Sequence, residues 1–463
     1  MAGSPLTPLT TPFLEVGQKI QQAPVALAAL FAGPWNDPNK LYGILGIVVI
    51  IGLIVGVVFL GMWLTNESRK PLDTSPEKVL ETERNRKDAI LALPVLNATK
   101  SLYGELIQQL DPSERYFVNL CPLTAMWAGY IGPVQKGVFS PKFYVQKALD
   151  AGIRSFVLPI SWHKKPEFGP PQWPSQLRPG CLVRDDNEQI VSINGLTVKN
   201  FVNELCIEIG NHGLAQRDEP ILLSFVTTPS CPDRVKQEDD YVRMICQIGQ
   251  ELGEVSAFNS LRLATLGAYG SATGAAREQE ILMQTPLEDL RGKILVFTDF
   301  DTKLVLKNEY QDTRIFVRPS LHDFVNFQMH PEPACCAKPG QMINAKMIHL
   351  MDISGSRTVW RDEARTVWHT TLGDGPIVKV PSKDLVINAN ANGIQMVPIP
   401  FFLNKEEATA AQEVWKSYNG FAWKLKPANA RYSKPPPVVP ATPSSSLNAR
   451  VSSNLQPGQT QIT

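Results

Sequence analysis

The sequence predicts an α/β chain whose body is a (β/α)8 TIM barrel preceded by one transmembrane helix. Three observations carry this. Helix-then-strand units with apolar strands recur between residues 90 and 432, the pattern of a parallel sheet covered on both faces. No glycine-rich phosphate loop follows any strand, which favours a barrel with insertions over an open doubly wound sheet. And from Leu41 to Asn66 there is no charged residue, a run far outside what a globular core needs.

The remaining composition is ordinary. The 463 residues are 43% hydrophobic and 19% charged, and 45 Lys+Arg against 44 Asp+Glu leave a net charge of +1. With neither a basic stripe nor an acidic block, nucleic acid is not an expected partner.

Residues 1–40 are rich in Pro, Thr and Ala and read as a flexible extension, with a short apolar stretch from Val25 to Phe31. Residues 41–65 form the predicted span. Its apolar part, Tyr42 to Leu64, makes a helix of about 35 Å against roughly 30 Å of hydrocarbon, so it crosses with modest tilt. Tyr42 and Trp63 fall at the two interfaces. A cleaved signal peptide fits poorly, because the stretch is long, starts late and lacks a basic leader. Lys40 stands alone before the span, whereas Arg69, Lys70, Lys78 and Arg84 follow it, so the large C-terminal part is expected on the cytoplasmic or interior side. Two sequons, Asn66-Glu67-Ser68 and Asn97-Ala98-Thr99, pull the other way. Gly52 and Gly56 are a small-xxx-small pair through which two spans can self-associate.

Residues 66–90 read as a charged helical stalk opened by Ser75-Pro76. The body, residues 91–432, begins its clear units at Ser140-Pro141, where the helix KFYVQKALDA closes at Gly152 and the strand RSFVLPIS follows. The helix KNFVNELCIEI stops at Gly210 before the strand ILLSFVT, and DRVKQEDDYVRMICQIGQEL is a longer amphipathic helix. Thr285-Pro286 starts LEDLR, Gly292 stops it, and KILVFTDF is the next strand. Residues 433–463, without an acid or an aromatic, form a Pro/Ser-rich disordered tail. Seven dispersed cysteines read as reduced thiols, and the Cys335-Cys336 pair lacks zinc-site spacing, so no metal or other cofactor is expected.

The order of these pieces resembles the catalytic barrel of phosphoinositide-specific phospholipase C, across its X and Y halves. FSPKFYVQKALDAGIRSFVLPISW is similar to a helix, a Gly-x-Arg turn and a strand of the type V-E-L-D-x-W. NEQIVSINGLTVKNFVNEL resembles E-P-V-V-Y-H-G-H-T-L-T and its helix, ILLSFVT takes the place of I-L-S-L-E, and TPLEDLRGKILVF that of S-P-x-x-L-K-G-K-I-L. NANGIQMVPIPFFLN resembles the G-x-Q-M-V strand of the Y half, and YNGFAWKLKP its closing N-G-x-x-G-Y-V-L-K-P. Residues 303–388 show only general pattern.

The resemblance implies cleavage of a phosphodiester by the substrate's own inositol hydroxyl, with two His in acid/base and charge-stabilising roles and Ca2+ held by Asn, Glu and Asp. Carried over position by position, that chemistry is missing. The first His falls on Pro122 and its Asn neighbour on Leu123. The strand carboxylates fall on Val157 and Pro159, or on Leu158 and Ile160 if the register slips by one. The second His falls on Asn194, the Glu of I-L-S-L-E on Val226, and the headgroup lysines on Phe297 and Asp299. Loss of a general acid or base costs typically 10²–10⁴-fold, so the barrel reads as a scaffold without catalytic residues.

Substitutes are few. His163 ends a strand near Asp185 and Glu188, and Asp299 and Asp301 end another at the same rim, so these three are the candidates for a new acid/base or Mg2+/Ca2+ site. His322, His349 and His369 have no ligand-like spacing, and Trp35, Trp360 and Trp368 read as packing or interface residues. The expected function is that of a membrane-anchored, enzymatically silent phospholipase-C-like structural or adaptor protein, with partners at the barrel rim and tail. Barrels of this degenerate, anchored sort resemble those encoded by large DNA viruses, where they would tie an internal membrane of the virion to its capsid. The alternatives are a divergent membrane-bound phosphodiesterase using His163, Asp299 and Asp301, and lipid-headgroup binding without cleavage.

Overall fold

The computed structural model describes residues 49–50, 52–53, 55–56, 73–133, 135–163, 178–184, 189–213, 217–263, 285–307, 310, 319–330, 342–346, 365, 368–372, 383–402 and 405–434. The chain divides into two units, residues 1–71 and 72–463. In the first, residues 49, 50, 52, 53, 55 and 56 are helical, and Val49, Ile50, Leu53 and Val55 are exposed. The rest of the predicted span lies outside the described residues, among which no helix is long and apolar enough to cross a membrane. A Cβ at Gly52 or Gly56 would meet nothing within 4 Å.

The second unit opens with α1 (Pro76–Leu91), capped as its sequence predicts by Ser75, whose hydroxyl accepts the Lys78 amide at 3.3 Å. The helix is not a free stalk. It lies on the body: Thr82 and Ile90 are buried, Glu83 accepts the Ser140 hydroxyl at 2.6 Å, and Lys87 sits 5.7 Å above the Phe143 ring. Its charges pair locally, Lys78 with Glu81 and Lys87 with Glu83, and leave one face free to pack.

A ring of parallel pairings follows. Strands β1 (Thr124–Ala125), β2 (Ser155–His163), β3 (Ile221–Thr227), β4 (Ile294–Thr298), β5 (Phe327–His330), β6 (Met342–Lys346) and β7 (Trp368–Leu372) pair in that order, all parallel. Residues 394–399 bridge both ends of this row, Met396 to Thr370 and Ile399 to Ala125. The Met126 amide donates to Ile399 and the Ile399 amide to Thr124, so pairing returns to the first strand. Three of these strands, β5 to β7, lie in the stretch whose sequence shows only general pattern.

Helices α2 (Pro141–Asp150) and α3 (Val198–Asn211) precede β2 and β3. Gly152 takes φ +85° after α2, as the stop signal predicts, whereas α3 runs through Gly210. Helix α4 (Glu238–Gly253) starts later than predicted, because the Asp233 carboxylate accepts the Val235 and Lys236 amides at 2.9 and 2.8 Å and holds a turn there. LEDLR makes only a 3-10 turn, Leu287–Leu290, before Gly292 at φ +63°. Gly249 of α4 has no room for a side chain, since a Cβ would lie 2.0 Å from the Ser320 carbonyl carbon. The last helices are α5 (Lys383–Ala391) and α6 (Lys405–Lys416).

Alternation sorts the strands into two cores. Phe156, Leu158, Ile160, Leu223, Phe225 and Val296 pack with the helices. Val157, Leu222, Val226, Leu295, Phe297, Phe327, Met329, Trp368 and Met396 form the second cluster, inside the ring, with Leu102, Leu106, Phe117 and Leu120 from the segment before β1. The closing YNGFAWKLKP stretch is not a ring strand: Trp423–Leu425 pairs antiparallel with Leu120–Pro122, tying both ends of the body together.

Candidate functional site

Where parallel strands pair in this way, chemistry belongs at their C-terminal ends, and the carried-over positions stand at different places relative to that rim. Val157, Val226 and Phe297 are in the interior cluster. Pro159 is buried and, by alternation, shares the Val157 face, whereas Leu158 and Ile160 point to the helices. Only the first register therefore places both positions inside. Phe297 stacks on Phe327 at 4.9 Å with an interplanar angle of 7°, and lies 6.1 Å from Trp368, which itself stacks on Phe117 at 4.4 Å. Aromatic rings fill the space between strands.

Pro122 and Leu123 stand elsewhere. Pro122 pairs with Trp423 and accepts the Tyr418 and Thr124 hydroxyls, and both residues precede β1, at its N-terminal end. At the other end of β1 the chain passes through Trp127, buried at φ 54°, a conformation rare for a bulky residue. Asn194 is a clamp: its side chain accepts the Phe139 amide at 2.7 Å and donates to the Phe139 carbonyl at 2.9 Å.

At the rim, Asp299 leaves β4 beside Thr227 at the end of β3. It accepts the Thr227 amide at 2.8 and 3.1 Å and the Thr227 hydroxyl at 2.7 Å. Burial pushes its carboxyl up to about 6, against the lowering effect of those hydrogen bonds. Asp301 is drawn away to Arg234 at 2.9 Å, and its amide donates to the Tyr241 hydroxyl. The two carboxylates thus hold different partners, and no group of three His, Cys, Asp or Glu fit for a metal ion occurs among the described residues.

Beside Asp299 stands a hydroxyl cluster that sequence spacing does not mark. Thr228 donates to the Ile160 carbonyl at 2.7 Å and lies 3.3 Å from Ser161 Oγ and 2.8 Å from Ser230 Oγ. The Cys231 thiol bonds the same carbonyl at 3.0 Å, and burial pushes it up to about 11, so it is no nucleophile at neutral pH. The only hint was the Thr-Thr-Pro ending of ILLSFVTTP.

Of the other candidates, His163 ends β2 with its backbone paired to Arg178. Asp185, Glu188, His349, Trp35, Trp360, Cys335 and Cys336 lie outside the described residues. His322 is buried with Nδ1 3.2 Å from Thr302 Oγ1, and burial pushes His369 down to about 3, leaving it neutral. The other five cysteines are free thiols.

Asp299 supplies a test of the rim electrostatics. Its carboxyl ionises harder in the fold than in the open chain, so it binds more protons folded between its ordinary value of 3.8 and about 6, and stability falls as pH rises through that window. Asp299→Asn keeps an acceptor for Thr227 and removes the titration. Thermal melts are expected to show the variant gaining on the parent from pH 4 to 6.5, by on the order of 2 kcal/mol, and running parallel above that. A constant gap across the whole range would contradict a strained carboxylate.

No protein-family model matches the chain, and no curated protein matches it. Solved structures similar to it include L. pealei PLC21 and S. officinalis PLC21, at 15% and 16% identity, each with a TM-score of 0.45 over 69% of this chain. The chain spans 38% of the length of each. A calcium-dependent phosphoinositol-specific phospholipase C from Pseudomonas sp. is similar at 12% identity and a TM-score of 0.38, over 68% of this chain and 97% of that one.

Proposed function

We propose that this protein is a membrane-anchored (β/α)8 barrel of the phospholipase-C-like type that acts as a structural or adaptor component and does not hydrolyse phosphodiesters. The observation that carries the reading is the interior of the ring. Where the resembled family keeps carboxylates and a lysine, this chain packs Val157, Pro159, Val226 and a stacked Phe297. An apolar, filled space excludes a charged phosphate, because burying an unpaired ion costs several kcal/mol or more.

The role we infer joins a bilayer, held by residues 42–64, to protein partners at the barrel rim and the Pro/Ser-rich tail, with Gly52 and Gly56 available for self-association. The setting proposed is a virion, the barrel standing between membrane and capsid. Its body faces the cytoplasmic or interior side, in keeping with the basic residues after the span.

A second reading is supported by Asp299, whose carboxyl, pushed up to about 6 by burial at a strand-end rim, suits a general acid near neutral pH. In that case the protein is a divergent phosphodiesterase.

Anchoring and sidedness are tested on the full chain expressed in cells. It is expected to stay with membranes at alkaline pH, with the body open to protease from the cytosol. Asn97 and Thr99 of the second sequon are both exposed, so a luminal body would carry a glycan there. Release at alkaline pH, or a glycosidase-sensitive mass on Asn97, would refute the placement.

A further inference from the structure

The end of α1 and the loop after it keep an apolar surface in water. Residues 89–96 read Ala-Ile-Leu-Ala-Leu-Pro-Val-Leu. Leu91 is 58% exposed and Val95 76%. Beside them runs a groove of about 70 Å3, open to solvent, lined by the buried Ile90, Ala151, Phe401 and Phe402, with Lys147, its ion-pair partner Asp150 at 3.7 Å and Gln412 also on its wall. Exposed apolar residues scattered singly need no explanation, but a contiguous run beside an apolar groove marks a contact surface.

We propose that this loop and groove dock on the lipid bilayer that holds the chain's own span, with Leu91 and Val95 entering the acyl region and Lys147 at the level of the phosphates. The inference rests on the anchored reading, and chain length names the occupant. Seven residues, 66–72, separate the predicted span from Asp73, and fully extended they reach ~25 Å. Helix α1 adds ~24 Å of rod before the loop. A surface tethered so closely meets its bilayer at high effective concentration, so a modest apolar insertion is populated without a second anchor. In the loop the Leu93 amide donates to the Ile90 carbonyl, the Ala98 amide donates to the Asp150 carbonyl, and Pro94 has no amide. Lys147 has the long stem that lets a cation stay at the headgroups while its methylenes lie on apolar surface.

The full chain is reconstituted into nanodiscs of phosphatidylcholine and phosphatidylserine with a benzophenone amino acid at position 95. A second preparation carries it at position 235, where Val235 is 79% exposed in the loop before α4. Irradiation and mass spectrometry are expected to give phospholipid adducts at position 95 at about ten-fold the yield at position 235. Equal yields, or adducts to protein alone, in a chain that resists alkaline extraction would overturn the docking and leave the anchor standing. Release of the chain at alkaline pH would overturn both.

Discussion

Replacing Glu219 with alanine is expected to destabilise the body by about 3–5 kcal/mol, the cost of leaving a buried charge without its partner. Arg154 and Glu219 are each 1% exposed and pair at 2.8 Å, at the N-terminal ends of β2 and β3. The same carboxylate accepts the Leu102 amide at 2.8 Å, and Arg154 also donates to the Leu149 and Ile153 carbonyls at 3.1 Å. The pair therefore joins the segment before β1 to the ring. Against a total stability of about 5–15 kcal/mol, the loss is large enough to read in any denaturant titration. The double variant Arg154→Met/Glu219→Met should recover part of the loss, since no charge then stays buried. It should still fall short of the parent by about 1–3 kcal/mol, because the Leu102 amide loses its acceptor. A Glu219→Ala variant within 1 kcal/mol of the parent would show that the pair bears little on the floor of the ring.

Trp368→Ala is expected to cost a similar amount, about 3–5 kcal/mol, by opening a cavity in the ring. The indole is fully buried between Phe117 and Phe297. Its Nε1 has no hydrogen-bond partner among the described residues, so Trp368→Phe removes an unpaired donor along with some volume and should cost less than half as much. The contrast matters for function. If the interior were an open, hydrated pocket, truncating its lining would cost little, and both variants would melt with the parent.

How much of this was legible in the sequence depends on what each strand packs against. FVLPIS, ILLSFV and ILVFT are buried on both faces and read as apolar runs. The strands FQMH, MINAK and WHTTL do not, and in WHTTL the reason is that its surroundings accept polar groups. His369, Thr370 and Thr371 are all buried, and His369 takes its place neutral, with its amide bonded to Gln395 Oε1 at 2.7 Å. No periodicity marks such a strand; only the pairing does. The charge pattern of α1 likewise concealed that it packs, since Glu83 and Lys87 serve the body as well as each other. At the rim, Asp299 and Asp301 were identifiable as strand-end carboxylates, but their separate partners, Thr227 at the end of β3 and Arg234 in the loop before α4, were out of reach of sequence spacing. The same holds for Lys426, fully buried in the closing segment and pushed down to about 7 by desolvation.

A hydrolysis assay separates the proposed silent scaffold from a phosphodiesterase. The full chain, reconstituted in nanodiscs, is offered labelled phosphoinositides and glycerophosphodiesters, with and without Ca2+ or Mg2+. Product is expected to form no faster than from empty nanodiscs under every condition, with no difference on Asp299→Ala. Metal-dependent or metal-free turnover that Asp299→Ala abolishes would contradict the silent scaffold and make the protein a phosphodiesterase.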